Sequence, residues 1–243
     1  LQPDKTKKRK DQLNNKIKAL HRRAFFIFTH LPAFVLMQAP NHLLLMALAV
    51  IAGCTDVASG GHAPKNAKRK FSRILVVPLD EAEPLAIRHL ALDLAGFFHT
   101  EAVTLPTMKM PANAWYAPRK RFWADSLLPW LLKLPHQPGE IIVGVTGKNI
   151  STTRRSHFNW GIMGLAYQPG QAAIVSDYRM GHAGLSDQKR FEKLARTARH
   201  ELGHCLGLPH CNDKYCLMTD AEGKALPDAA KSFCTRCLET LGW

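Results

Sequence analysis

Residues 200–211 read HELGHCLGLPHC, which places three histidines, a glutamate, two cysteines and two glycines in twelve positions. The stretch closes a segment with a helical period. Phe191, Leu194, Ala195, Ala198, Leu202 and Cys205 recur at three- and four-residue spacing, predicting a long amphipathic helix from Ser186 to Leu206 with one apolar stripe against a core. His200 and His204 fall one turn apart, roughly opposite that stripe, with Glu201 between them. A lone histidine is best read as a hydrogen-bonded core residue. Two imidazoles sharing a helical face beside a carboxylate instead predict a catalytic zinc held by His200 and His204. Cys205 lies on the apolar stripe and reads as a small buried thiol.

A catalytic zinc that keeps one position for water needs a third protein ligand. Glu222 stands near the distance at which a glutamate on a second helix would serve, but its surroundings, TDAEGKALP, read as a turn. Gly207 follows His204 by three residues and tolerates positive φ, so the helix ends there and the chain swings back. That return brings His210 into reach as the third ligand.

Cys211 opens a second set. Cys211, Cys216, Cys234 and Cys237 are spaced C-x4-C…C-x2-C. Four thiolates in two close pairs enclose zinc tetrahedrally with no open position, which makes a structural site. His210 then serves the open centre and Cys211 the closed one, so adjacent residues hinge the two together. The competing arrangement is a pair of disulfides, in any of three pairings, in an exported domain. The CxxC pair with basic and polar flanks favours zinc.

HExxHxxGxxH followed by Met218 resembles the metzincin metallopeptidases. The longer stretch HELGHCLGLPHCNDKYCLM (200–218), with FCTRC (233–237), resembles the archaemetzincins, and a weaker likeness runs upstream through GIMGLAYQPGQAAIVSDYRM. The resemblance implies an α/β (α+β, zincin-like) fold with a mixed sheet, a long active-site helix and a C-terminal subdomain whose four cysteines bind zinc. It also implies a zinc-dependent peptidase acting on peptide or protein through a zinc-bound water, with Glu201 as general base and Met218 in the turn beneath the metal. The cofactors are then two zinc ions, one catalytic and one structural. QAAIVSDY (171–178) is either the edge strand that pairs with extended substrate or an ordinary core strand. No tyrosine follows Met218 to steady an oxyanion, and Tyr215 and Tyr178 are the substitutes at hand.

Outside the motifs, RILVVPLD (73–80), EAVTLP (101–106), EIIVGVT (140–146) and GIMGLAY (161–167) read as further strands. Pro84 opens a helix through Phe98, and Asp125 caps a short one ending before Pro135. The net charge of +14 is uneven, since residues 1–54 hold nine Lys/Arg against two Asp/Glu. Eleven apolar residues from Leu43 to Gly53 precede Cys54, and IAGC resembles a bacterial lipobox in which Cys54 is lipidated. The expected organisation is a basic leader and signal peptide over 1–53, a lipid-anchor cysteine and tether over 54–70, and the peptidase domain over 71–243. The expected location is the bacterial cell envelope, anchored to a membrane through Cys54, or the cytoplasm if the leader does not function. WYAPRKRFW (115–123) mixes rings with basic residues, but one such cluster does not predict a nucleic-acid partner. The domain is expected to be a monomer. The rival function is a non-catalytic, zinc-stabilised binding module at the envelope, for which Glu201 would have no use.

Overall fold

The computed structural model describes residues 70–154, 157–221 and 225–243. The leader, Cys54, the tether up to residue 69 and Glu222 lie outside the described residues.

Two sheets carry the domain. The larger has strand order β2 (Ala102–Thr104), β1 (Arg73–Leu79), β5 (Glu140–Thr146), β9 (Ala172–Ser176), β8 (Gly164–Ala166). Its first four strands run parallel, and β8 is antiparallel to β9 at the edge. These strands are continuously apolar because helices cover both faces. Ile74, Val76, Ile141, Val143, Ala173 and Val175 point to one core, shared with helices α1 (Pro84–Phe98) and α4 (Asp187–Cys205). Their neighbours Leu75, Val77, Ile142 and Ile174 point the other way, to Leu127, Leu128 and Leu131 of α2 (Ala124–Leu131).

The smaller sheet has the order β3 (Trp115–Tyr116), β4 (Arg121–Trp123), β6 (Ile150–Arg154), β7 (His157–Ile162). Two short α-helices, α3 (Tyr178–Gly181) and α5 (Thr235–Leu241), and two 3-10 turns, Ala112–Ala114 and Ala117–Arg119, complete the elements of the described residues.

Several expectations change against this frame. GIMGLAY is not one strand: the chain leaves the smaller sheet at Ile162 and joins the larger at Gly164, so Met163 is the crossing point. QAAIVSDY supplies β9, which lies between β5 and β8 and is buried throughout. It is therefore a core strand, and the edge is β8. Asp125 does not cap α2, whose N-cap position is Trp123. Its Oδ1 instead accepts a hydrogen bond from Thr152 Oγ1 at 2.9 Å, tying α2 to β6.

The polar side of α4 is also held. Arg199 Nε donates to Asp93 Oδ1 of α1 at 2.7 Å, and its guanidinium stacks over Phe97 at 4.4 Å. Arg196 and Lys193 both reach Asp228, the latter at 3.3 Å. The helix that carries the chemistry is thus clamped by apolar contact on one side and by charge on others.

Candidate metal centre

The apolar stripe of α4 packs on β8 and β9 and leaves His200 and His204 facing a cavity of ≈ 390 Å³. His200 Nδ1 lies 2.6 Å from the Leu217 carbonyl, and His204 Nδ1 lies 2.8 Å from that of Leu208. A ring whose Nδ1–H donates to a carbonyl carries its lone pair on Nε2. The two Nε2 atoms stand 3.1 Å apart. Two lone pairs so close repel unless something lies between them. A tetrahedral zinc with bonds of about 2.0 Å puts its nitrogen ligands about 3.3 Å apart, and that is the fit here.

Gly207 adopts φ 93° and ends the helix as its composition predicts. Leu208 N–H then bonds back to the Gly203 carbonyl at 3.0 Å. This turn has two effects: it aims the Leu208 carbonyl at His204, and it carries His210 over the other rings. The His210 ring centre lies 5.4 Å from that of His200 and 4.9 Å from that of His204, and one ligand atom from each of the three falls within a 4.8 Å span. Burial, and then the nearness of His204, lower His200 to about 3, so it stays in the neutral form that binds metal. Burial lowers His204 as well.

Glu201 sits beside this cluster with its carboxylate folded against Gly164 of β8. A Cβ on Gly164 would come within 2.7 Å of Glu201 Cγ, so only glycine leaves room. Burial pushes the carboxyl up to about 8. Asp220 also lines the cavity; its Oδ2 accepts from Arg154 Nη2 at 2.9 Å and lies 3.5 Å from His210 Nδ1. Sequence reading missed both Asp220 and Arg154, since nothing local marks either. Tyr215 is an exposed residue beside Lys214, and Tyr178 packs on His182. Neither tyrosine lines the cavity.

Met218 is fully buried beneath α4, and Gly203 lets it approach: a Cβ there would lie 2.5 Å from Met218 Sδ. The Leu217 carbonyl that orients His200 is the preceding link. Gly203→Ala is therefore expected to cost about 1–3 kcal/mol of stability through overpacking. It should also weaken zinc retention through the displaced Leu217 carbonyl, both readable by thermal unfolding and competitive zinc titration. Unchanged zinc affinity would show that the methionine turn does not position His200.

The four cysteines converge as the spacing requires. Sγ of Cys211 lies 3.7 Å from that of Cys234, and Sγ of Cys216 lies 3.7 Å from that of Cys237. Zinc–sulfur bonds of about 2.3 Å give a tetrahedral edge of about 3.8 Å, whereas a disulfide would bring sulfurs to about 2.05 Å. All four thiols are free. Backbone N–H groups of Met218 and Cys234 donate to Cys216 Sγ at 3.4 and 3.3 Å, and Arg236 Nη2 donates to Cys211 Sγ at 3.1 Å. Burial works to raise the Cys211 thiol, but hydrogen bonds from Asp213, Arg236 and the facing cysteines outweigh it and hold the thiol at about 7. Cys205, by contrast, is raised by burial and then by Glu201, and it stays an inert core thiol.

The fold has solved counterparts. The crystal structure of archaemetzincin from Archaeoglobus fulgidus complexed with malonate superposes with a TM-score of 0.56 at 27% identity, covering 69% of this chain and 99% of that one. Archaemetzincin from Methanopyrus kandleri gives a TM-score of 0.57 at 24% identity, over 70% of this chain and 93% of that one. By sequence, the archaemetzincin of Haloarcula marismortui is 29% identical over 154 residues, 59% of this chain and 83% of the relative. A family model, Peptidase family M54, matches residues 123–242. Fold and site together define a zinc metallopeptidase. Within that class the comparisons support the archaemetzincin family, peptidase family M54.

The same comparisons correct the expected location. These relatives are archaeal archaemetzincins, and among the described residues no helix is long and apolar enough to cross a membrane. A bacterial envelope lipoprotein location is not supported.

Proposed function

We propose that the chain hydrolyses peptide bonds at one zinc held by His200, His204 and His210, with Glu201 as general base. A second, structural zinc is held by Cys211, Cys216, Cys234 and Cys237. The observation that carries the reading is the convergence of His200 and His204 through Nε2 while each Nδ1 is tied to a carbonyl.

Zinc bound to these nitrogens supplies a Lewis acid that acidifies water and polarises the scissile carbonyl. Glu201 accepts the water's proton and returns it to the leaving amine. Burial raises its carboxyl to about 8, which makes the ionised form a strong proton acceptor, and the charge of a bound zinc would favour that ionised form. Edge strand β8 lines the same cavity, so an extended substrate can pair with its open side and cross the histidines. Asp220 stands against His210 Nδ1 and is itself held by Arg154. The binding-module alternative is not favoured, because it leaves the burial of Glu201 against Gly164 without a purpose.

A peptide-library screen of the zinc-loaded chain tests the reading. Cleavage is expected to stop on chelation and return on adding zinc. Cleavage indifferent to the chelator, or none by the zinc-loaded chain, would contradict it.

A further inference from the structure

Arg121 of β4 and Arg179 of α3 meet over a bare backbone. A Cβ built on Gly161 of β7 would lie 2.8 Å from Arg179 Cζ and 3.1 Å from Arg121 Cζ. Both guanidinium carbons thus lie near one point and no more than about 6 Å from each other, where like charges repel. Among the described residues no carboxylate forms an ion pair with Arg119, Arg121 or Arg179. Arg121 Nη1 donates to the Asn159 carbonyl at 2.7 Å, but its Nε is buried with no hydrogen-bond partner. Burial, and then the charges of Arg179 and Arg119, hold the Arg121 guanidinium below its ordinary range. The pair is not part of the histidine cluster, and no step of peptide hydrolysis uses it.

Two guanidinium groups held together, with no carboxylate paired to either among the described residues, lack a counter-charge. We propose that Arg121 and Arg179 form an anion site at Gly161 that takes a phosphate group. A carboxylate brings one charge, whereas a phosphate brings about −1.5 to −2 at neutral pH and accepts several N–H donors at once. The source is either free phosphate or a phosphomonoester. Tyr116, paired in register with Arg121, and Trp123, two residues along β4, share this sheet face, and both contact the exposed ring of Phe158 at 5.5 and 5.0 Å. An ester's organic part has those rings to lie against.

The test is calorimetric titration of the zinc-loaded full chain with inorganic phosphate and with phenyl phosphate at constant ionic strength. The variants are Arg179→Gln and His210→Ala. One saturable site is expected, weakened at least tenfold in Arg179→Gln and retained in His210→Ala. Tighter binding of the phenyl ester would assign the site to phosphomonoesters, and tighter binding of the inorganic ion to free phosphate. Binding that survives in Arg179→Gln and disappears in His210→Ala would place phosphate on the catalytic metal and overturn the proposal. Thermal unfolding in phosphate-free buffer gives an independent readout. Relief of repulsion should leave Arg179→Gln as stable as the parent or more so, and a fall of several degrees would mark Arg179 as a structural residue instead.

Discussion

Glu201→Gln is expected to leave both metal sites filled and to lower peptide turnover by about 10²- to 10⁴-fold, the usual contribution of a positioned proton acceptor. The reasoning is steric as well as chemical. Glutamine has the shape of glutamate, so it fits the slot against Gly164 that excludes any larger neighbour. It offers no proton acceptor of comparable basicity, and so it interrupts the transfer from water to leaving amine. Because Glu201 is not among the three converging histidines, zinc content should not change. The paired measurement is turnover on the best substrate from the screen and zinc per chain. Loss of zinc together with activity would move Glu201 into the ligand set and sink its role as base.

Cys216→Ser is expected to do wider damage than any single change at the histidines. In zinc-finger peptides, thiolate ligation of zinc is worth about 10–16 kcal/mol, as large as the whole stability of a typical domain, about 5–15 kcal/mol. Cys216 is buried and accepts from two backbone N–H groups, so the segment around it is organised on its sulfur. The loss should also travel. Leu217, whose carbonyl orients His200, follows Cys216 directly, and Cys211 N–H bonds to the Met218 carbonyl at 2.7 Å next to His210. Cys216→Ser should therefore lose both zincs and unfold at least about 10 °C lower, a shift matching roughly 3–5 kcal/mol in a domain of this size. His210→Ala should lose one zinc and keep its unfolding temperature within a few degrees. Equal damage from both variants would mean that the two sites are not arranged as support and supported.

Much of the site was legible because its signals are local. The stripe from Phe191 to Cys205 and the flanks Ser186 and Leu206 bound the observed helix, Asp187–Cys205. Gly207 at positive φ and the converging cysteines follow from short spacings that physical chemistry constrains tightly. β1, β5 and α1 were equally readable, being long apolar runs or a proline-led period.

What escaped was set by distant approach. Gly164 and Gly203 look like ordinary glycines until Glu201 and Met218 are brought against them by strands and turns remote in sequence. Asp220 and Arg154 are 66 residues apart, and no local pattern links them. The smaller sheet was missed because its strands run two to six residues with aromatic and basic side chains and no clean alternation. The cell-envelope location failed for a different reason. An eleven-residue apolar run before one cysteine constrains few positions, and the family relationship outweighs it.

The central claim is that two separate zinc sites share the hinge at His210 and Cys211, one open for chemistry and one closed. Native mass spectrometry of the full chain, prepared under reducing conditions, reads this directly for the parent and for His210→Ala. The account predicts two zincs in the parent and one in the variant. One zinc in both proteins would contradict it, because the histidines would then hold no metal of their own.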